Sequence, residues 1–169
     1  ANTMAMAFEM LGISPIGASL VPAQDGGKAA AADAAGRLVV DVLRRGVRPS
    51  EVITRAGLEN AIAAVTASGG STNGVLHLLA VAREVGVELS IDDFDRIAES
   101  TPLLCDLKPG GRFVARDLHA AGGVAVLAAR LDELGVLRRD ALTVGGQTLG
   151  EIADGARQTP GQEVVRPLA

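Results

Sequence analysis

The sequence predicts a helix-dominated α/β fold with one or two short strands set between helices. Three observations carry that reading. Apolar residues recur at helical spacing in several windows, as with Val75, Leu78, Leu79 and Ala82 at i, i+3, i+4 and i+7. Gly and Pro punctuate those windows where helices should end, at Gly46 and Pro49 and again at Gly69-Gly70. Leu103-Leu104-Cys105-Asp106-Leu107, by contrast, is a short apolar run of strand type.

Taken in order, Ala1 to Leu11 is apolar almost all round, which suits a helix buried inside a larger protein. Gly12 ends it and Pro15 prevents its resumption, so residues 12–27 read as a loop. Lys28 to Arg45 is an Ala-rich helix with Leu38, Val39, Val42 and Leu43 at helical spacing. Ser50-Glu51-Val52-Ile53 opens a second helical run to about Ala67, and Ser71 or Thr72 caps a third, Gly74 to Val85. Ser90 followed by Asp92 and Asp93 starts another, which runs to about Glu99, before Thr101-Pro102. After the strand-like run, Lys108-Pro109-Gly110-Gly111 makes a turn and Arg112-Phe113-Val114 a second extended piece. Asp117 to Leu134 is helical, interrupted at Gly122-Gly123. Ala141 to Leu149 reads as a hairpin or strand–turn–helix, with a short helix from Leu149 to Ala156.

With 169 residues, 48% apolar, 21% charged and a net charge of −4, the chain has the composition of one soluble globular domain. No window approaches the roughly 20 apolar residues of a membrane span, and no basic segment followed by an apolar one marks a signal peptide. An acidic pI near 5.2 and only three aromatics, Phe8, Phe94 and Phe113, argue against nucleic acid as partner. The expectation is a cytoplasmic protein with neither nucleic-acid nor membrane partner. Cys105 is the only cysteine, so it forms no internal disulfide and holds no metal centre alone.

Several groups invite a chemical reading beside a plain one. Gly69-Gly70-Ser71-Thr72-Asn73-Gly74 joins two helices, and its outward N–H groups at a helix start suit a carboxylate or phosphate, although an ordinary cap explains it better. No Lys stands where a phosphate-binding P-loop needs one. His77 and His119 are candidate proton-transfer groups, although a hydrogen-bonded structural role suits His77 better and no partner is spaced to orient His119. Cys105 lies in an apolar run and reads as a buried hydrophobe. Asp92, Asp93 and Asp95 lack the spacing of a calcium loop and read as a solvated first turn. Lys108 and Arg112 flank a tight turn, where they either grip an acid or simply sit on the surface.

Five stretches together resemble one family. They are Ala1-Asn2-Thr3-Met4-Ala5, Ala67 to Leu78 around Gly-Gly-Ser-Thr-Asn-Gly, Asp106-Leu107-Lys108-Pro109-Gly110-Gly111-Arg112-Phe113-Val114, Asp117 to Val124, and Leu142-Thr143-Val144-Gly145-Gly146-Gln147-Thr148-Leu149. This is similar to the dihydroxy-acid dehydratase / phosphogluconate dehydratase family, on the side of the dihydroxy-acid and sugar-acid members. The resemblance implies a hydro-lyase that removes water from a 2,3-dihydroxy carboxylic acid to give a 2-keto acid. It implies an iron–sulfur cluster acting on the departing 3-hydroxyl, a magnesium ion at the carboxylate end, and a serine alkoxide taking the proton from carbon 2. It also implies a homodimer, and a place in branched-chain amino acid biosynthesis or sugar-acid metabolism.

The family's cluster cysteines, carbamylated lysine, magnesium-binding glutamate and catalytic serine have no matching positions here, and Cys105 stands where the family often has Ala. The resemblance therefore places no catalytic residue and no metal ligand in this segment. It implies the later part of the N-terminal α/β domain over residues 1–140, and a connection toward a β-rich C-terminal domain over residues 141–169. Thr3, Ser71, Thr72 and Asn73 are the candidate wall of the substrate and cluster pocket. The apolar ends read as cut, so we expect an internal fragment, inactive alone, whose first helix bares an apolar surface that leaves the isolated chain poorly soluble or partly molten. Two rival readings are a non-catalytic helical interaction module derived from the family and a small anion-binding domain built on the Gly70-Ser71-Thr72 helix start.

Overall fold

A computed structural model describes residues 2–168; Ala1, where the expected first helix begins, and Ala169 lie outside them. The described residues form nine helices: α1 (Thr3–Met10), α2 (Lys28–Arg45), α3 (Pro49–Val52), α4 (Arg55–Ala67), α5 (Asn73–Glu84), α6 (Ile91–Ser100), α7 (Ala115–Ala121), α8 (Gly123–Glu133) and α9 (Leu149–Asp154). None is long and apolar enough to cross a membrane.

The core is built on α1 and α4, which pack along each other. Met6, Ala7 and Met10 of α1 and Leu58, Ala61, Ile62 and Ala64 of α4 are all buried. Their small residues let the backbones approach: a Cβ on Gly57 would stand 3.0 Å from the Leu11 carbonyl oxygen. The α8–α9 pair closes one side, and α5 and α6 lie against α4. The expectation of a bared α1 is thus overturned. A helix apolar all round is satisfied within this segment, because α4, α5 and α8 surround it.

The open apolar surface lies on α2 instead. This helix has no buried residue; Val39 is 64% and Leu43 78% exposed. Pairs four residues apart, Asp33–Arg37 and Asp41–Arg45 at 2.9 Å, line its outer face.

The expected helical run from Ser50 to Ala67 divides into α3 and α4. Thr54 is extended, and its hydroxyl accepts the Gly57 N–H at 3.2 Å, so it caps a new helix where the sequence suggested continuity. The helix expected from Asp117 starts at Ala115, with the Asp117 carboxylate accepting the Val114 N–H at 2.9 Å. It breaks at Gly122, whose φ of +121° only glycine adopts readily and whose Cβ would lie 2.5 Å from the Arg157 carbonyl oxygen.

The expected strands shrink to isolated bridges, Cys105 with Val165, Leu107 with Phe113, and Leu142 with Thr148. Leu104 and Cys105 donate instead to the carbonyl of Ala67 at the end of α4 (2.8 and 2.9 Å), so the run between Pro102 and Pro109 is spent joining elements rather than forming a ladder. Residues 141–165 are seated on the same core, with Ala141, Leu149, Val164 and Val165 buried.

Candidate functional site

The site is assembled where three chain segments meet: the start of α1, the α4–α5 turn, and the turn at residues 107–115. They enclose a cleft of about 510 Å³ whose lining includes Thr3, Ser68, Ser71, Thr72, Lys108 and Leu118.

Glycine makes the first junction possible. Gly69 has φ +61°, the left-handed geometry that ends α4. A Cβ on Gly70 would meet Thr3 Cγ2 at 2.9 Å and Val65 Cγ1 at 3.0 Å, so the turn lies flush against the start of α1 only because no side chain is there. The Ser71 N–H donates to Thr3 Oγ1 at 3.1 Å, and the Asn73 N–H donates to Ser71 Oγ at 3.2 Å. This corrects the expectation of outward, unpaired N–H groups at Ser71: that donor is already taken by Thr3. Each hydroxyl oxygen thus accepts one N–H and keeps its own O–H and one lone pair open, since no acceptor among the described residues takes its hydrogen. Thr3 and the Ser71-Thr72 pair, far apart in sequence, thus share one wall. Asn73 is exposed as the first residue of α5 and is not part of the lining.

The second junction is electrostatic. Asp106, nearly buried, accepts from Arg112 Nε at 2.6 Å and faces Arg166 at 3.1 Å, and the Arg112 side chain beside it holds its carboxyl below the usual range. Arg112 also reaches Glu163 at 3.2 Å. Gly111 folds against Asp106 so tightly that a Cβ would lie 2.3 Å from the Asp106 carbonyl carbon. Of the two cations flanking this turn, Arg112 is therefore spent on structure. Lys108 is exposed and belongs to the cleft lining.

A further determinant escaped the sequence reading altogether. Glu9 is fully buried in α1, and its carboxylate accepts the Gly17 N–H at 2.8 Å, the Ser19 N–H at 2.9 Å and the Ser19 hydroxyl. It pins the loop of residues 12–27, which delivers Leu20 to the cleft lining. A lone acid in an apolar helix was the available signal, since a buried charge demands partners.

The remaining candidates lie elsewhere. His77 is exposed on α5 and makes no side-chain hydrogen bond among the described residues, so the structural role suggested for it does not hold. Asp93 is no solvated residue: it accepts from Ser90 N–H at 2.9 Å and pairs with Arg55 and Arg96, which hold its carboxyl well below the usual range. Glu59 joins the same network through Arg55, Arg96 and Arg138, and ties α4 to α6. Cys105 is buried, and burial pushes its thiol up to about 12, far from a ready thiolate ligand. Among the described residues no three His, Cys, Asp or Glu side chains converge as a metal would require. These residues do not fit an iron–sulfur cluster or a magnesium ion by themselves.

Comparison with known proteins gives this arrangement its class. The family model described as Dihydroxy-acid/6-phosphogluconate dehydratase N-terminal matches residues 1–152, and the chain belongs to that family. Among its relatives, the dihydroxy-acid dehydratase of Koribacter versatilis is 60% identical over 168 residues, which is 99% of this chain and 29% of that protein. Those of Roseiflexus castenholzii and Microcystis aeruginosa are 54% and 48% identical over 168 and 171 residues, each covering 30% of the relative. The chain thus spans about 30% of the length of the relatives it matches.

Proposed function

We propose that these residues form one wall of the active-site cleft of a dehydratase acting on a small 2,3-dihydroxy carboxylic acid. The observation that carries the reading is that Thr3, Ser71 and Thr72 line one cleft of a chain belonging to this family. In the reaction, the substrate loses a proton from carbon 2 and hydroxide from carbon 3. The resulting enol becomes the 2-keto acid, and the proton and hydroxide leave as water. The role of this segment is to bind and orient: its hydroxyls donate to the oxygen-rich substrate and its apolar floor, Met6 and Leu118, excludes water beneath it.

The iron–sulfur cluster and magnesium ion belong, in this reading, to donors outside the described residues, as do the groups that move the protons. The intact protein works as a homodimer in the cytoplasm, in branched-chain amino acid or sugar-acid metabolism. Residues 1–140 serve the N-terminal domain and residues 141–169, of which 141–165 are seated on the same core, lead toward the rest of the protein. The test is kcat/KM of the intact protein after Thr3→Val, Ser71→Ala and Thr72→Ala, with Asn73→Ala beside them. A loss of roughly tenfold or more in at least one of the first three is expected. Unchanged kcat/KM in all of them removes the claim.

A further inference from the structure

The cleft lining has a one-sided charge signature. Among its lining residues Lys108 is the only charged one, and no carboxylate is present, in a chain whose net charge is −4. The chain holds 16 Lys and Arg residues, of which only Lys28 and Lys108 are lysine. Arginines carry the structural ion pairs, among them Arg55, Arg112, Arg138 and Arg139. Lys28 is spent on the Val21 carbonyl at 3.0 Å. Lys108 has no ion-pair or side-chain hydrogen-bond partner among the described residues. Its backbone, however, is fixed: its N–H donates to the Phe113 carbonyl at 2.8 Å, the Gly111 N–H closes onto the Leu107 carbonyl at 2.8 Å, and the Asp106–Arg112 pair locks the turn from behind.

This wall of the cleft therefore presents one ammonium and the Thr3 and Ser71 hydroxyls, each with an O–H free to donate. An array of donors with a single positive charge and no acid selects an anionic ligand rich in acceptor oxygens. A flexible ammonium is suited to meeting a carboxylate from several angles, where an arginine would demand bidentate geometry.

We propose that Lys108 binds the carboxylate of the small hydroxy acid held in this cleft. This rests on the dehydratase reading above and adds to it the residue through which this segment recognises the acid. The test compares Lys108→Met and Lys108→Arg with wild type in the intact protein, by calorimetric titration with 2,3-dihydroxybutanoate, its neutral primary amide, and gluconate. We expect Lys108→Met to weaken binding of the acid by roughly tenfold to a hundredfold while leaving the amide within about twofold, with Lys108→Arg between the two. The wild-type affinity for the acid should also fall more steeply with added NaCl than that of Lys108→Met. Equal losses for acid and amide, or none for the acid, overturn the role of Lys108. A lowered melting temperature with unchanged binding does the same, since it means that Lys108 pairs with an acid elsewhere in the intact protein. If wild type binds neither 2,3-dihydroxybutanoate nor gluconate, the dehydratase reading falls as well, so the two failures are distinguishable.

Discussion

Glu9 offers a test of the physical account because the carboxylate is enclosed and its partners are few. Replacing it with Gln keeps the side chain's volume but changes one accepting oxygen into an NH2 group. The two oxygens now serve separate donors: one takes Gly17 N–H at 2.8 Å, the other Ser19 N–H at 2.9 Å together with the Ser19 hydroxyl. Whichever way the amide turns, a donor faces a donor. The Ser19 hydroxyl has an alternative in the Ala5 carbonyl at 3.0 Å, so the loss concentrates on one backbone N–H. A hydrogen bond to a charged acceptor contributes about 1.5–3 kcal/mol, and a stranded N–H costs a further share of its desolvation. We expect Glu9→Gln to cost about 2–3 kcal/mol, and Glu9→Ala, which strands both N–H groups and leaves a void, about 3–5 kcal/mol. For a domain of this size that corresponds to a fall in Tm of roughly 4–12 °C for Gln. Denaturant titration reads the total, and amide exchange at Gly17 and Ser19 reads the site. If Glu9→Gln stays within about 0.5 kcal/mol of wild type, the loop is not held by this carboxylate and the reasoning fails.

Other perturbations follow from the same geometry. Gly111→Ala places a Cβ 2.3 Å from the Asp106 backbone, so the turn carrying Lys108 must open, at about 2–3 kcal/mol in a denaturant melt. Asn60→Leu deletes the bonds to Arg138 N–H (2.7 Å) and Arg138 carbonyl (2.9 Å) and strands both groups, which should cost about 2–4 kcal/mol by the same assay. Cys105, its thiol pushed up to about 12, should resist a disulfide reagent at pH 8 until the chain is unfolded. Because the unfolded thiol ionises near 8.5 and the folded one does not, stability should decline as pH rises above that point. At the acid end, Asp93, Glu59 and Asp106 have lowered values when folded, so their contribution is complete above the ordinary carboxylate range near 4. It should fade as pH falls below that range, and a melt that holds its midpoint down to pH 2 would contradict the pairing.

How much of this was legible in the sequence depended on whether the determinant was local. Ser90 with Asp93 announces the start of α6, and Gly46 with Pro49 the end of α2, because caps are contacts within a few residues. The extent of α2 could be read from alanine content, but not that its apolar residues stay open. Thr54 carries no local signal, because a capping Thr inside a helical pattern is indistinguishable from a helical one until Gly57 is set against Leu11. The strand-like run at 103–107 failed for a related reason. Strand character needs a partner along its length, and the amides of Leu104 and Cys105 both go to the carbonyl of Ala67, 37 and 38 residues earlier, while Asp106 pairs with Val164 and Phe113.

The site shows the same division between residue type and arrangement. Ser71 and Thr72 stood out because glycines flank them, and Thr3 because a family motif contains it, but nothing local says that Thr3 and Ser71 touch. Their contact depends on Gly70 having no side chain, an effect that acts between α1 and the α4–α5 turn. Nor could the sequence separate Lys108 from Arg112, two cations on one turn with equal claims on an acid. The separation comes from Asp106 and Glu163, which occupy the guanidinium and leave the ammonium to the cleft. Swapping the two side chains, Lys108→Arg with Arg112→Lys, would keep the net charge and still disturb both roles: a lysine at 112 cannot span Asp106 and Glu163 with a planar fork, so the turn that positions residue 108 loses its brace. Residue types thus narrowed the chemistry to an acid and its hydroxyls, and the ion pair behind the turn decides which cation meets it.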